Sequence, residues 1–436
     1  MKIAVVVQRY GLDINGGAEL HARYVAEHLS RHAEVEVLTT CAHNYISWRN
    51  DLPAGREQLN GVPVHRFPVS RERVVEKFAR RSIRVFEQPH SLSEELAWLD
   101  SEGPTSPALI RHIQQNQSHY DYFIFFSFRY YHAYHGIRAV PARSLLVPTA
   151  EREGAVGLSM FAATFRAVRA LMYNSFEERA MIQEVSGNHE VPHVVVGIGS
   201  EVPGNTRPEQ FRQHYGIHSP FVVYVGRIDE NKGCKELFAY FQRYASAVTG
   251  DLMLVLMGNS ILPIPDHPRI RHLGFVSDED KFNAIAASEA LIMPSYFESL
   301  SMVALEAWAL GRPVLANGRC DVLAGQCVRS NGGLYYTSYE EFRETLHLVE
   351  SNRPLAHALG DNGRAYYLRH YDWPVIERKY MDMLNQLLQA DRSGHTSAGV
   401  EPLPGWWARR RVNCRPANDA VRDLPSGAAV KRGRPS

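Results

Sequence analysis

The sequence predicts an α/β protein made of two parallel-sheet domains, and three observations carry that prediction. Short apolar runs alternate with helical patterns along most of the chain, and such alternation builds parallel sheets. The alternation is interrupted near 197–207 by a run rich in Gly, Pro and polar residues, which leaves two similar halves. The length of 436 residues suits two domains with additions, and 45% hydrophobic residues can fill a core in each.

Strands are expected in the first half at 3–7, 35–39, 64–69, 122–126, 145–148, 171–174 and 194–196. In the second half they are expected at 221–225, 252–257, 270–273, 291–294, 314–316 and around 334–335. A last helical stretch covers 374–388, after Tyr371-Asp372-Trp373. Beyond 391 the composition turns to Gly, Pro, Ser and Arg, and 401–436 hold eight Lys or Arg against three Asp or Glu. Low apolar content with excess charge predicts a disordered basic tail. The domain plan is therefore 1–200, 201–373, a helix at 374–390 and a tail at 391–436.

Three segments carry candidate chemistry. The stretch ALIMPSYFESLSMVALEAWALGRPVLA, 290–316, reads as a strand, a polar loop with Glu298, and a helix over 301–310 with Glu306. Gly311-Arg312-Pro313 stops the helix. Its N-terminus turns unpaired N–H groups and a positive dipole end outward, a seat for a diphosphate. Glu298 beside that seat and Glu306 behind it are placed to accept hydrogen bonds from sugar hydroxyls. In FVVYVGRIDENKGCKELF, 221–238, Gly226-Arg227 and Lys232-Gly233 follow a strand. Open α/β sheets bind ligands at such carboxyl ends. An Arg fork and a mobile Lys charge suit phosphate oxygens, although the same cations could simply be solvated. In MKIAVVVQRYGLDINGGAELHARYVAEHL, Gly16-Gly17 opens a helix and permits close approach to the backbone. It is not G-x-G-x-x-G, so no nicotinamide fingerprint is read.

In this order, GGAE, GRIDENKG and ESLSMVALE after MPS resemble the nucleotide-sugar-dependent glycosyltransferases of family 4, over about residues 1–390. The resemblance implies the GT-B fold: two Rossmann-like domains facing a central cleft, the acceptor on the first and the donor nucleotide on the second. It implies that the final helix crosses back onto the first domain, and that transfer retains anomeric configuration. By the same resemblance Arg227, Lys232 and Glu298 are catalytic. The two cations neutralise the leaving diphosphate and Glu298 bonds the transferred hexose. Glu306 takes the ribose, and Gly16, Gly17, Gly226, Ser299, Leu300 and Ser301 help hold the donor. Family members react on one face, a leaving-phosphate oxygen taking the acceptor proton, so no side-chain base is named. One departure stands out. Many members carry His, often followed by Asp, after a first-domain strand. Here LLVPT leads to Ala150-Glu151-Arg152-Glu153, and Glu151 takes the His position on the acceptor side. A carboxylate differs from imidazole in charge and donor capacity. This keeps open a homologue that binds donor without turnover, and, from the architecture, a sugar-nucleotide epimerase.

Other features narrow the class. A net charge of +1 gives no global attraction to nucleic acid. Five cysteines without CxxC or zinc spacing read as a reducing, cytoplasmic compartment. No signal peptide or membrane span is expected. Asp278-Glu279-Asp280 resembles a metal-holding triplet but reads better as the first turn of a helix, so no metal or cofactor is expected. His132, beside Tyr130, Tyr131 and Tyr134, is expected to border the acceptor side, the alternative being a buried, bonded histidine. The segment RERVVEKFARRSIRVF, 71–86, places Val75, Phe78, Ala79, Ser82 and Phe86 on one side among six cations. That pattern suits an anionic membrane surface or a helix packed on its own domain. Trp406-Trp407 beside Arg409-Arg410-Arg411 offers a similar choice in the tail. The expectation is a metal-independent enzyme at the inner face of the plasma membrane. It would pass a hexose to a glycan or lipid-linked acceptor in cell-surface polysaccharide or lipopolysaccharide synthesis, with no specific nucleic-acid partner.

Overall fold

A computed structural model describes residues 1–14 and 16–394. The expectations for Trp406-Trp407, Cys414 and the rest of the tail lie outside the described residues. The first domain holds β1 (Lys2–Val6), β2 (Glu34–Thr40), β3 (Gly55–Leu59), β4 (Val62–Phe67), β5 (Tyr122–Phe126), β6 (Ser144–Val147), β7 (Ala170–Tyr173) and β8 (His193–Val195). They form one sheet in the order β3-β4-β2-β1-β5-β6-β7-β8. The second holds β9 (Phe221–Val225), β10 (Met253–Met257), β11 (Ile270–His272), β12 (Ala290–Met293), β13 (Val314–Asn317) and β14 (Gly333–Tyr336), in the order β11-β10-β9-β12-β13-β14. Every pairing is parallel except β3 with β4. The runs are apolar because helices cover both faces: β5, YFIFF, is buried at every position. Both sheets reverse direction of growth, between β1 and β5 and between β9 and β12. Ligands bind in open α/β sheets at such switch points.

β3 escapes sequence reading. Its residues, GREQL, are exposed but for the last, so no hydrophobic pattern marks it. Its turn does: Asn60 and Gly61 both take positive φ, 49° and 82°, the Asn-Gly hairpin preference.

The last helix, Trp373–Arg392, returns to the first domain. It runs through Asp391, which was expected to open the tail. Asp391 is instead bonded by Arg169 Nη2 at 2.9 Å and the Tyr122 hydroxyl at 2.6 Å. At the helix start the Trp373 ring stacks on His28 at 3.6 Å. His28 also bridges Glu377 of this helix and Glu201 of the interdomain linker, each at 2.6 Å. Ile376, Tyr380 and Leu384 join one apolar cluster with Val25 of the first domain and Trp308 of the second. Each such fully buried aliphatic contributes about 1.5–3 kcal/mol.

The helix Val75–Glu87 divides the stripe predicted for it. Val85 is buried and Phe78 and Ser82 half-buried, while Val75, Ile83 and Phe86 are 46%, 49% and 38% exposed. Two of the six cations of 71–86 turn inward, onto acceptors of the helix Leu92–Glu102. Arg73 Nη2 meets Glu102 Oε2 at 3.0 Å, and Arg81 donates to the Ala97 carbonyl at 2.6 Å. Among the described residues no helix is long and apolar enough to cross a membrane.

Candidate active site

The switch points of the two sheets face each other across a cleft of about 480 Å³. Its second-domain wall is set by backbone geometry. Gly233 sits at φ 70°, and a Cβ there would fall 2.1 Å from the Pro294 carbonyl oxygen. Only glycine lets the Lys232 loop rest on the loop that carries Glu298. Lys232 Nζ consequently meets Glu298 Oε1 at 2.7 Å. Asp229, buried, holds this loop by accepting from the Lys232 amide at 2.8 Å and from Arg227 Nε. Burial works against the charge of Lys232, but Glu298 more than offsets it and the ammonium is held above its usual range.

The helix Met302–Ala309 starts at the cleft, its first turn capped by Ser301, whose hydroxyl accepts from the Ala304 amide at 3.2 Å. Ser299, Leu300 and Ser301 line the cleft before it. Glu306 is 4% exposed. One carboxylate oxygen accepts from Lys281 Nζ at 3.1 Å, and the other, Oε2, has no partner among the described residues. Burial raises the Glu306 pKa against the pull of Lys281. A buried carboxylate oxygen with an open lone pair is what a ribose hydroxyl would satisfy.

The first-domain wall has a different make-up. Gly17, Ala18, Glu19, Arg129, Tyr130, Glu151 and Glu153 line it. Arg9 Nη2 pairs with Glu19 at 2.7 Å. Arg129 pairs with Glu102 at 2.9 Å and also with Glu153. His21 lies at its back, fully buried and edge-on to Phe126. Burial pushes its pKa down to about 3, so the ring is neutral.

The cleft brings together Lys232, Glu298, Gly17, Gly226, Ser299, Leu300, Ser301, Glu306 and Glu151. Three expected residues stand elsewhere. Gly16 caps the first helix behind the wall, where a Cβ would fall 2.2 Å from Glu19 Oε2. Arg227 is at the rim, half-exposed, bound to Asp229 and 3.3 Å from the Tyr45 hydroxyl of the first domain. His132 does not border the acceptor side. It is fully buried, its Nε2 2.9 Å from the Phe126 carbonyl, because the first turn of Tyr131–Ala139 points it into the core. Asp278-Glu279-Asp280 forms the first turn of Asp278–Ala287 under a Ser277 cap, with Asp278 3.2 Å from Lys281. Lys281, Arg129 and Glu153 were not singled out from sequence. Lys281 had a local signal, a cation directly after the acidic triplet and one turn from Asp278. The other two meet only through the fold.

Known proteins show the same assembly. Residues 207–366 match the family Glycosyl transferases group 1. This second domain is a glycosyl transferase group 1 domain, and the two sheets about the cleft make the GT-B fold. The matched residues include the GRIDENKG and ESLSMVALE segments. Over 146 residues the chain is 27% identical to alpha-D-kanosaminyltransferase of Streptomyces kanamyceticus, covering 30% of this chain and 36% of that relative. The match therefore spans about a third of that relative's length. Over 345 residues it is 24% identical to an uncharacterized glycosyltransferase of Methanocaldococcus jannaschii, covering 73% and 80% of the two chains. Among solved structures it is similar to Anabaena HepE in complex with UDP-glucose, with a TM-score of 0.63 and 16% identity over 88% of this chain and all of that one.

Proposed function

We propose that the protein is a retaining, metal-independent hexosyltransferase. It draws on a nucleotide diphosphate sugar and passes the sugar to a glycan or lipid-linked acceptor of the cell surface. The observation that carries this reading is the second-domain wall, where two lysine–carboxylate pairs flank a capped helix N-terminus. Such a wall suits a diphosphate between two sets of sugar hydroxyls. Lys232, with Arg227 swinging in from the rim, offsets the charge growing on the leaving diphosphate, a large catalytic term in a closed cleft. Lys232 can bridge Glu298 and a phosphate at once. Glu298 then orients the hexose, and Glu306 takes the ribose through its open oxygen. The HepE likeness makes UDP-glucose the first donor to try. The exposed Val75, Ile83 and Phe86, with solvent-side Lys77 and Arg80 on the same helix, support contact with an anionic membrane at the inner face of the plasma membrane.

The test is a thermal-shift screen of UDP-, GDP-, ADP- and dTDP-sugars, followed by assay of nucleoside diphosphate release. A ligand at one hundred times its dissociation constant stabilises by about 2.7 kcal/mol. Binding of one donor class with release of its diphosphate is expected. Binding without release would make the protein a non-catalytic homologue, and an altered free sugar would make it an epimerase. No shift with any donor would remove the reading.

A further inference from the structure

We propose that the second domain carries a second binding site, a pocket at the amino ends of β12 and β13 that takes a small phosphate monoester bearing hydroxyls. The site lies outside the cleft and stands apart from the glycosyl-transfer reading.

Arg312 points to it. Among the described residues every other Lys or Arg that is not exposed has a hydrogen bond, an ion pair or a ring contact, and Arg312 has none for its side chain. The side chain is half-buried, and burial holds its pKa below the usual range, with Arg212 adding and Glu289 opposing. Arg212 is spent on the Ser219 and Ala287 carbonyls, at 2.9 and 2.7 Å. The Arg312 guanidinium does not close the helix Met302–Ala309 before it either. Its backbone does, the amide donating to the Ala307 carbonyl at 2.8 Å.

Arg312 lines a pocket of about 210 Å³ together with Glu289, and with Arg353 and His357 from the first turn of the helix Arg353–His370. Glu289 also lacks a side-chain hydrogen bond or ion pair among the described residues. A guanidinium and a carboxylate thus share one cavity without closing on each other. The walls are braced apart. Gly360 of the helix Arg353–His370 packs so tightly on the turn before Arg312 that a Cβ there would fall 2.1 Å from the Gly311 carbonyl oxygen. Gly363 packs in the same way on the Trp308 ring. Pro313 fixes the chain that follows.

The groups present define the ligand. Arg312 offers a planar fork for phosphate oxygens, and exposed Arg353 adds a second charge at the mouth. The amino end of the helix Arg353–His370 adds its dipole. Ionised Glu289 can only accept, so it needs a donor that a phosphate dianion lacks. A hydroxyl on the same molecule supplies one. The pocket is smaller than the about 300–1,000 Å³ that larger ligands occupy, which suits a sugar or polyol phosphate. Glu289 and Arg312 stand just before β12 and β13, whereas the cleft residues Met293, Ser295 and Glu298 lie at or past the carboxyl end of β12. The eight-residue helix Met302–Ala309 separates the two sites, about 12 Å along its axis.

The experiment titrates inorganic phosphate and glycerol phosphate into the protein at constant ionic strength, read by calorimetry and thermal melts. Wild type is compared with Arg312→Gln, Arg353→Gln, Glu289→Gln and Lys232→Ala, the last reporting on the cleft. Wild type should bind both ligands, and chloride should not replace them. Arg312→Gln should lose about tenfold or more in affinity for both, as for a hydrogen bond to a charged group. Arg353→Gln, altered at an exposed position that folding does not depend on, should lose affinity in the same direction. Glu289→Gln should weaken glycerol phosphate relative to inorganic phosphate. Lys232→Ala should stay within about twofold of wild type, as for distant independent sites. Without phosphate, Arg312→Gln should melt no lower than wild type, since it removes a partly buried, uncompensated charge. An Arg312→Gln protein that melts lower and still gains from phosphate would make Arg312 structural and overturn the proposal. Binding lost in Lys232→Ala but kept in Arg312→Gln would place the phosphate in the cleft and overturn it too, as would no binding by wild type.

Discussion

The two walls of the cleft hold carboxylates in similar number but spend their cations differently. On the second-domain wall each lysine serves glutamates that also line the cleft, Lys232 with Glu298 and Lys281 with Glu306. A diphosphate can enter such pairs and share the ammonium groups, and the helix N-terminus beside them adds its dipole. On the first-domain wall Arg129 is committed to Glu102 and Glu153, and Glu151 remains uncompensated. An anion placed there would meet net negative charge. On the function proposed above, the contrast suits a charged substrate on one side and a neutral polyhydroxyl on the other. It also teaches that counting charged residues in a cleft says less than asking whom each one already serves.

The comparison breaks or sharpens through substitutions on either wall, and the largest effect is expected at Lys232. Lys232→Ala should cut donor turnover by about two to three orders of magnitude, by analogy with loss of one oxyanion donor. Arg227→Ala, at the rim, should follow the same direction. Near-normal turnover in both would take the cations out of the reaction. Arg129→Ala should act on stability instead. It strips one of two cations from Glu102, whose side chain is 4% exposed and which keeps Arg73. The loss should therefore stay below the cost of leaving a buried charge unpaired, about 3–5 kcal/mol. Thermal melts should show it destabilised more than Lys232→Ala. A milder Arg129→Ala than Lys232→Ala in melts would erase the distinction between a structural and a working wall.

Within the second-domain wall the two glutamates should fail differently. Glu306→Gln should weaken binding of the bare nucleoside diphosphate about tenfold or more, since hydrogen bonds to charged groups contribute about 1.5–3 kcal/mol. Glu298→Gln should spare that binding and lower turnover of the full donor. Calorimetry on the diphosphate beside kinetics on the donor separates them, and equal losses would contradict the assignment.

A smaller effect lies behind the first-domain wall. Burial holds His21 at about 3 and His132 at about 4, both below the ordinary histidine value of 6.5. Their stabilisation is present above about 6.5 and is lost as pH falls toward the folded values, each site costing about 1.4 kcal/mol per pH unit in that window. His132→Phe should flatten the acid limb of a stability–pH curve, and an unchanged slope would show that His132 is not held neutral. The smallest effect is expected from EDTA, with initial rates unchanged. Loss of activity on chelation, restored by manganese, would return Asp278 and Asp280 to candidacy.

Much of this could be read from the chain. Both sheets were visible because their strands are buried on two faces and stand out as apolar runs, and the β9 and β5 bounds fall where the sequence places them. Lys232, Glu298 and Glu306 were visible because strand, loop and helix around them are contiguous. What stayed hidden was assembled by the fold from distant parts. Arg129 meets Glu102 and Glu153 across three separate segments. The neutrality of His132 depends on burial that three flanking tyrosines mimic but do not specify. Val75 and Phe86 share a predicted face with Phe78, yet with Phe78 and Phe86 against Trp98 of the neighbouring helix Leu92–Glu102, Val75 stays 46% and Phe86 38% exposed.

The return of Trp373–Arg392 to the first domain means that the chain order and the folding units do not coincide. A fragment ending at the linker would keep every strand of the first sheet but bare the side of Val25 and Leu29, and leave His28 without Trp373 and Glu377. Such a fragment should be an incomplete partner rather than a free-standing domain, and the missing piece is a single helix. Supplied as a separate peptide, that helix offers a way to reconstitute the first half alone. A split reporter built on it would register the union of two segments that stand far apart in the chain.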